Sequence, residues 1–296
     1  TGNAYITGYT ESEDFPVSSG AYQTVYAGGK TDAFVLKLDT DGDALEFSTY
    51  LGGCNEDYGM GIATDSDASF CTDNDGNAYV TGYTDCTDFP VSETTYQSTN
   101  KGLIDSFIVK LSDDGSSLTY STYLGGTLND YAVAITVDCC GEATVAGNTG
   151  SVDFPTASAH QAALAGETDG FITRISTTGD SVVFSTYLGG KGVENVTDLA
   201  TCMNCCGYTY ISGDTNSLDF PLLLPFQNIF GGGYSDGFIT MLTKSGTMSY
   251  STYFGGVGRD SISQVALDSN RNIFVAGSTD SNNLPVLNGY QNHLIN

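Results

Sequence analysis

Eight cysteines, Cys54, Cys71, Cys86, Cys139, Cys140, Cys202, Cys205 and Cys206, are the residues of this 296-residue chain best equipped for chemistry. An even count suits a disulfide framework in an oxidising compartment. Cys202-x-x-Cys205-Cys206 has half the spacing of a zinc site, but no second Cys-x-x-Cys and no suitable histidine accompanies it. Disulfides are therefore the favoured reading. Asp39, Asp41 and Asp43 alternate like ligands of Ca²⁺, which takes six to eight oxygens, and Asp73 and Asp75 offer a shorter version. The turns equivalent to Asp39–Asp43, Thr177-Thr178-Gly179 and Lys244-Ser245-Gly246, lack such ligands, so an ordinary hairpin turn is the favoured reading and calcium the alternative. Gly233-Tyr234-Ser235-Asp236-Gly237 has the spelling of a hydrolase elbow, which needs a strand before it and a helix after it. Here it opens a strand-like segment instead. The two histidines, His160 and His293, fall in loops, and His160 stands where other copies carry Tyr or Phe, which predicts a packing role.

The elements that position these residues repeat. Ser48-Thr49-Tyr50-Leu51-Gly52-Gly53 returns at 121–126, at 185–190 and, with Phe254 for Leu, at 251–256. Repetition at a near-fixed period marks a repeat architecture. Four strand-like segments make a unit, each with side chains alternating between two faces. Segment A is 57–65, with copies at 130–138, 194–202 and 260–268. Segment B is 2–8, with copies at 76–82, 141–147, 207–213 and 271–277. Segment C is 32–38, echoed at 105–111, 169–175 and 236–242, and segment D runs into the Ser-Thr-Tyr-Leu-Gly-Gly stretch. Gly and Asp between A and B and between C and D mark tight hairpin turns. The B to C connection is long and carries Asp14-Phe15-Pro16, Asp88-Phe89-Pro90, Asp153-Phe154-Pro155, Asp219-Phe220-Pro221 and a variant copy, Asn283-Leu284-Pro285. A buried Phe and a Pro bend pin such a loop to its own sheet.

Four short antiparallel strands per unit, repeated radially, predict an all-β chain: a β-propeller of four-stranded blades. A solenoid is the runner-up, although its units usually run about 20–45 residues. The chain reads as a single domain, 1–296, of about four blades. Segment B occurs five times and A, C and D four times each, so strands from both ends are expected to complete one blade with one B strand over. The alternative is an open arc of a larger propeller. A spare strand offers its edge to another subunit and could make a filament.

Composition narrows the function. A formal charge of −26 argues against nucleic acid and anionic membranes. It suits a soluble protein in salty water, or carboxylates that meet divalent cations. No apolar run approaches the ~20 residues of a membrane helix. Residue 1 already lies inside a strand pattern, as in a processed or excised piece of a longer product.

The Ser-Thr-Tyr-Leu-Gly-Gly stretch, Gly-Asn-Ala-Tyr-Val-Thr-Gly-Tyr-Thr at 76–84, Asp-Phe-Pro at 88–90 and Asp-Ser-Phe-Ile-Val-Lys-Leu at 105–111 together resemble the bacterial SBBP repeat. The resemblance implies a β-propeller in a large secreted or surface protein and brings no catalytic residues with it. In a propeller the D–A and B–C loops share one face. That places Cys54 beside Cys86 within one blade, and the other six cysteines in or beside three successive A–B loops on the opposite face. The expected protein is a secreted structural or adhesive building block, partnered by copies of itself or other surface proteins. A glycan- or surface-ligand-binding module is the second reading, favoured if exposed aromatics converge on one face. A hydrolase or lyase is the third.

Overall fold

A computed structural model describes residues 2–65, 76–202 and 207–291. Strands β1 (Ala4–Thr10), β2 (Asp32–Leu38) and β3 (Leu45–Leu51) form a three-stranded antiparallel sheet. Three four-stranded sheets follow: β4 (Asp57–Thr64) to β7 (Leu118–Leu124), β8 (Asp130–Val137) to β11 (Val182–Leu188), and β12 (Glu194–Thr201) to β15 (Met248–Phe254). Within them lie β5 (Ala78–Thr84), β6 (Asp105–Leu111), β9 (Ala143–Thr149), β10 (Asp169–Ile175), β13 (Thr209–Thr215) and β14 (Asp236–Leu242). A two-stranded sheet, β16 (Asp260–Leu267) and β17 (Ile273–Thr279), comes last. The all-β class and the four-stranded antiparallel blade, each a meander of consecutive strands, are as the sequence predicts. Among the described residues no helix is long and apolar enough to cross a membrane, a statement that leaves β-barrels aside.

Local chemistry explains the elements. The C–D hairpins turn on Gly42, Gly115, Gly179 and Gly246, with φ of 75°, 68°, 72° and 79°. A side chain disfavours that left-handed conformation, so glycine sets the turn. The A strands carry a recurrent bulge: pairing with the B strand skips a residue between Gly59 and Gly61, between Val196 and Asp198, and between Ile262 and Gln264. An extra residue of this kind bends the strand and adds twist.

The chain divides into two compact units. One comprises Thr1–Val145, Ser151–Pro155 and Thr173–Val183, the other Ala146–Gly150, Thr156–Ile172 and Phe184–Asn296. In the first, Val35, Phe47 and Leu51 of one sheet pack with Val80, Phe107, Val109 and Tyr123 of the next. Each such side chain contributes roughly 1.5–3 kcal/mol when fully buried. Tyr5 donates to the Gly76 carbonyl at 2.8 Å, and Lys37 reaches Asp113 at 2.6 Å, so polar bonds join the same two sheets. In the second unit Cys202, Tyr210 and Val265 are buried together. Val35, Tyr50, Leu51, Tyr79 and Val80 are buried, whereas Phe34, Leu36 and Ile62 are only half-buried.

Candidate functional site

Polar groups concentrate where the D strand turns into the next A strand and meets the long B–C loop. The tyrosine of the Ser-Thr-Tyr-Leu-Gly-Gly stretch clamps that loop. Tyr50 Oη accepts from Phe15 N at 3.0 Å and donates to Ser12 O at 2.8 Å. Tyr253 Oη accepts from Phe220 N at 3.1 Å and donates to Ser217 O at 2.7 Å. The clamped phenylalanine lies on the phenylalanine of its C strand, with ring centroids 4.6 Å apart for Phe15–Phe34, 4.5 Å for Phe89–Phe107 and 4.7 Å for Phe220–Phe238. The Asp-Phe-Pro loop therefore sits on its own blade, as the sequence predicts.

Behind the clamp a pair of buried acids recurs. Asp32 with Asp57, Asp105 with Asp130, Asp169 with Glu194 and Asp236 with Asp260 each join the first residue of a C strand to the first residue of the next A strand, and all are at most 2% exposed. The glycine between them leaves room: a Cβ on Gly125 would stand 2.6 Å from Asp105 Oδ1 and 2.9 Å from Asp130 Oδ2. The loop glutamine bridges the corner. Gln97 Nε2 donates to Asp105 Oδ2 at 2.8 Å and Gln97 Oε1 accepts from Gly125 N at 3.1 Å, and Gln23, Gln161 and Gln227 repeat the pattern. Burial pushes Asp57 up to about 7, and the charge of Asp32 adds to it, against hydrogen bonds from Thr84 and Gly53. Burial likewise pushes Asp32, Asp105 and Asp236 up to about 6 and raises Asp169 and Glu194. These carboxyls lie away from solvent, at the corner where one blade meets the next.

One corner carries sulfur. Ser151, Ser217 and Ser281 occupy one loop position in the later repeats, and the hydroxyl of each bonds the buried acid of its corner, Asp130, Glu194 or Asp260. In the second sheet that position is Cys86, and Cys54 sits opposite it with the two sulfurs 2.7 Å apart. Both are thiols, Cys54 exposed and Cys86 buried. Cys54 N donates to Asp88 Oδ1 at 2.9 Å, and the Cys86 thiol donates to the same oxygen at 2.5 Å. Burial, followed by Asp88 and Cys54, pushes the Cys86 thiol up to about 12. Among the described residues Cys54, Cys86 and Asp88 are the three side chains close enough to share one metal ion. Cys54 and Cys86, the pair expected to bond, lie side by side here as two thiols with no disulfide between them.

The remaining candidates are dispersed. Cys139 and Cys140 lie in the β8–β9 turn, and Cys202, which is disulfide-bonded, follows β12. Cys71, Cys205, Cys206, Asp73, Asp75 and His293 lie outside the described residues. Asp39 Oδ1 accepts from Asp43 N at 3.1 Å and Ala44 N at 3.3 Å, a local turn bond. Desolvation would raise Asp39, but the N–H groups of Ala44, Asp43 and Gly42 together hold it below its usual value. Asp41 and Asp43 are exposed, and among the described residues these three do not converge into a three-ligand cluster. Ser235 is buried and its hydroxyl donates to Asp260 O at 3.2 Å. No helix follows it, since β14 does, so the helix that a nucleophile elbow requires is missing. His160 is exposed rather than packed.

The fourth B–C loop holds what the motif search missed. Where the third repeat reads Thr156-Ala157-Ser158-Ala159-His160, the fourth reads Leu222-Leu223-Leu224-Pro225-Phe226. Leu224 is 77% exposed, Phe226 68%, Ile229 72% and Tyr234 69%. Leu224 also has φ of 49°, and the matching Ser158 and Asn288 have 46° and 55°. A short polar residue tolerates that conformation better than leucine does. The signal was legible as an apolar run in an otherwise polar loop.

Residues 249–285, from the fourth D strand through the Asn283-Leu284-Pro285 copy, match the family model of the SBBP β-propeller repeat. No curated protein matches the chain.

Proposed function

We propose that this chain is a secreted structural or adhesive β-propeller module, a building block of an extracellular or surface assembly, whose contact surface is the fourth B–C loop. The observation that carries the reading is Leu224: a leucine at positive φ, 77% exposed, among exposed Phe226 and Ile229. Neither its conformation nor its exposure helps the chain fold. Backbone strain and an apolar patch at one loop are the marks of a surface that works by being covered. Copies of the same chain or other surface proteins are the partners this reading names.

The reading assigns no reaction. The acids of the corners are buried, and one oxygen each of Asp130, Glu194 and Asp260 accepts the N–H of a glycine that follows the preceding D strand. A glycan-binding module is the second reading, and the exposed rings of Phe226 and Tyr234 favour it, since sugar faces stack on aromatic rings. Arg259 lies 5.6 Å from the Tyr234 ring centre and steadies that ring. Display of the chain on a non-adhesive cell tests the proposal. The cells should clump, and the double variant Leu224→Ser/Phe226→Ser should abolish clumping at equal surface expression. Clumping lost on addition of free sugars would favour the glycan reading, and no clumping at all would contradict adhesion.

A further inference from the structure

Two of the four acid corners differ from the others in a way that loop length explains. The glutamine and the C-strand aspartate are eight residues apart in the second and third repeats, Gln97–Asp105 and Gln161–Asp169, but nine apart in the first and fourth, Gln23–Asp32 and Gln227–Asp236. In the shorter loops two successive N–H groups fill both aspartate oxygens. Lys101 N donates to Asp105 Oδ2 at 2.9 Å and Gly102 N to Oδ1 at 3.2 Å, while Ala165 N and Gly166 N do the same for Asp169 at 2.8 and 3.1 Å. The longer loops insert a residue within Ala27-Gly28-Gly29 or Gly231-Gly232-Gly233, where Gly28, Gly29, Gly232 and Gly233 have positive φ. The N–H of Ala27 at 2.8 Å or of Gly231 at 2.6 Å still reaches Oδ2, and at Asp236 the Gly232 N–H also approaches the carboxylate without closing a hydrogen bond to Oδ1. Oδ1 of Asp32 and of Asp236 is left buried without a hydrogen bond.

The opposing acids match. Asp57 Oδ1 and Asp260 Oδ1 are also buried without a hydrogen bond, and so is Thr31 Oγ1 beside Asp32. Glu194, in a short-loop corner, has both oxygens occupied, by Thr215 and Ser217 on one and Gly190 N on the other. None of the ion pairs that Lys30, Lys37, Lys110, Arg174 and Lys191 form among the described residues involves Asp32, Asp57, Asp236 or Asp260. Two carboxylates facing each other in a buried place need a positive partner, and an unpaired buried charge is costly. Oxygen donors alone, two of them charged, are the donor set of a hard cation.

We propose that the Asp32–Asp57 and Asp236–Asp260 corners each bind one hard divalent cation of the calcium class, and that the Asp105–Asp130 and Asp169–Glu194 corners bind none. The extra glycine in the long loops is the device that frees the oxygens. The intact chain, stripped with chelator and dialysed, is titrated with calcium chloride by calorimetry and with terbium chloride by tyrosine-sensitised luminescence. Two calcium ions per chain are expected, with a rise in Tm on saturation. Asp236→Asn should leave one ion, while Asp105→Asn should leave two. Deleting Gly232 should also remove one ion while keeping the fold, because it restores the short-loop geometry; this arm stands if Asp236→Asn fails to fold. No calcium uptake at millimolar free calcium would overturn the proposal and assign the corners to protonated carboxyls. Two-ion binding unchanged in both Asp236→Asn and the Gly232 deletion would overturn it as well.

Discussion

The hydroxyl of Tyr123 accepts the amide N–H of Phe89 at 2.9 Å and donates to the carbonyl of Cys86 at 3.0 Å, both within buried surroundings. The ring thus fixes the start of the B–C loop from both sides while its edge meets Phe89 at a centroid distance of 6.0 Å. Tyr123→Phe removes the hydroxyl alone and leaves a buried N–H and a buried carbonyl without partners. A loss of about 1–3 kcal/mol in urea unfolding is expected. Phe107→Ala, which empties the space under Phe89, should cost about 3–5 kcal/mol. Changes below about 1 kcal/mol in both would mean that the clamp does not hold the loop.

A second expectation concerns Gly125. An added Cβ would stand 2.5 Å from Asp105 Cγ and 2.6 Å from Asp105 Oδ1, and Asp105 is fixed by Gln97 and two backbone N–H groups. Gly125→Ala should therefore destabilise by about 1–3 kcal/mol through overpacking. Gly150→Ala is the control, since its Cβ would meet nothing closer than Glu167 O at 3.7 Å. Equal melting temperatures for the two variants would show that the corner has slack.

Cys54 and Cys86 should form a disulfide when a thiol–disulfide oxidant such as oxidised glutathione is supplied, the two thiols giving up two protons and two electrons to it. Peptide mapping without reduction should recover the Cys54–Cys86 pair, and the bond should stabilise by about 2–4 kcal/mol. A bound zinc ion, or two alkylated thiols after oxidation, would refute this.

In the reduced protein the pH dependence has a definite sign. The Cys86 thiol is pushed up to about 12 in the fold, against an ordinary value near 9. The folded state then holds its proton where the unfolded chain has lost it, so this contribution to stability is full below about 9 and falls as pH rises toward 12. At pH 8 iodoacetamide should label exposed Cys54 in the native protein well before buried Cys86. Preferential labelling of Cys86 would contradict the assigned environment.

The strands were legible because each obeys a local rule. Phe107-Ile108-Val109 is a short run of aromatic and β-branched residues suited to a buried strand, and the turns around Gly115 and Gly179 demand positive φ. The Cys54–Cys86 proximity followed from repeat register, since two loops of one blade end must meet. The buried acids escaped notice because an aspartate at a strand start reads as surface; only pairing with the next blade hides it. The contrast between Gln-to-Asp separations of nine and eight was visible in the spelling, but its meaning rests on which N–H reaches which oxygen. Leu224 was a letter in a polar loop until its φ of 49° showed that leucine is a poor choice there.

Sedimentation velocity of the purified chain across a wide concentration range tests the proposed contact surface most directly. The wild type should associate as concentration rises. Leu224→Asn/Phe226→Ser should remain a monomer at every concentration, with a melting temperature equal to or above that of the wild type, because asparagine relieves the strained φ. A wild type that stays monomeric throughout, or a variant that associates as the wild type does, would contradict the account.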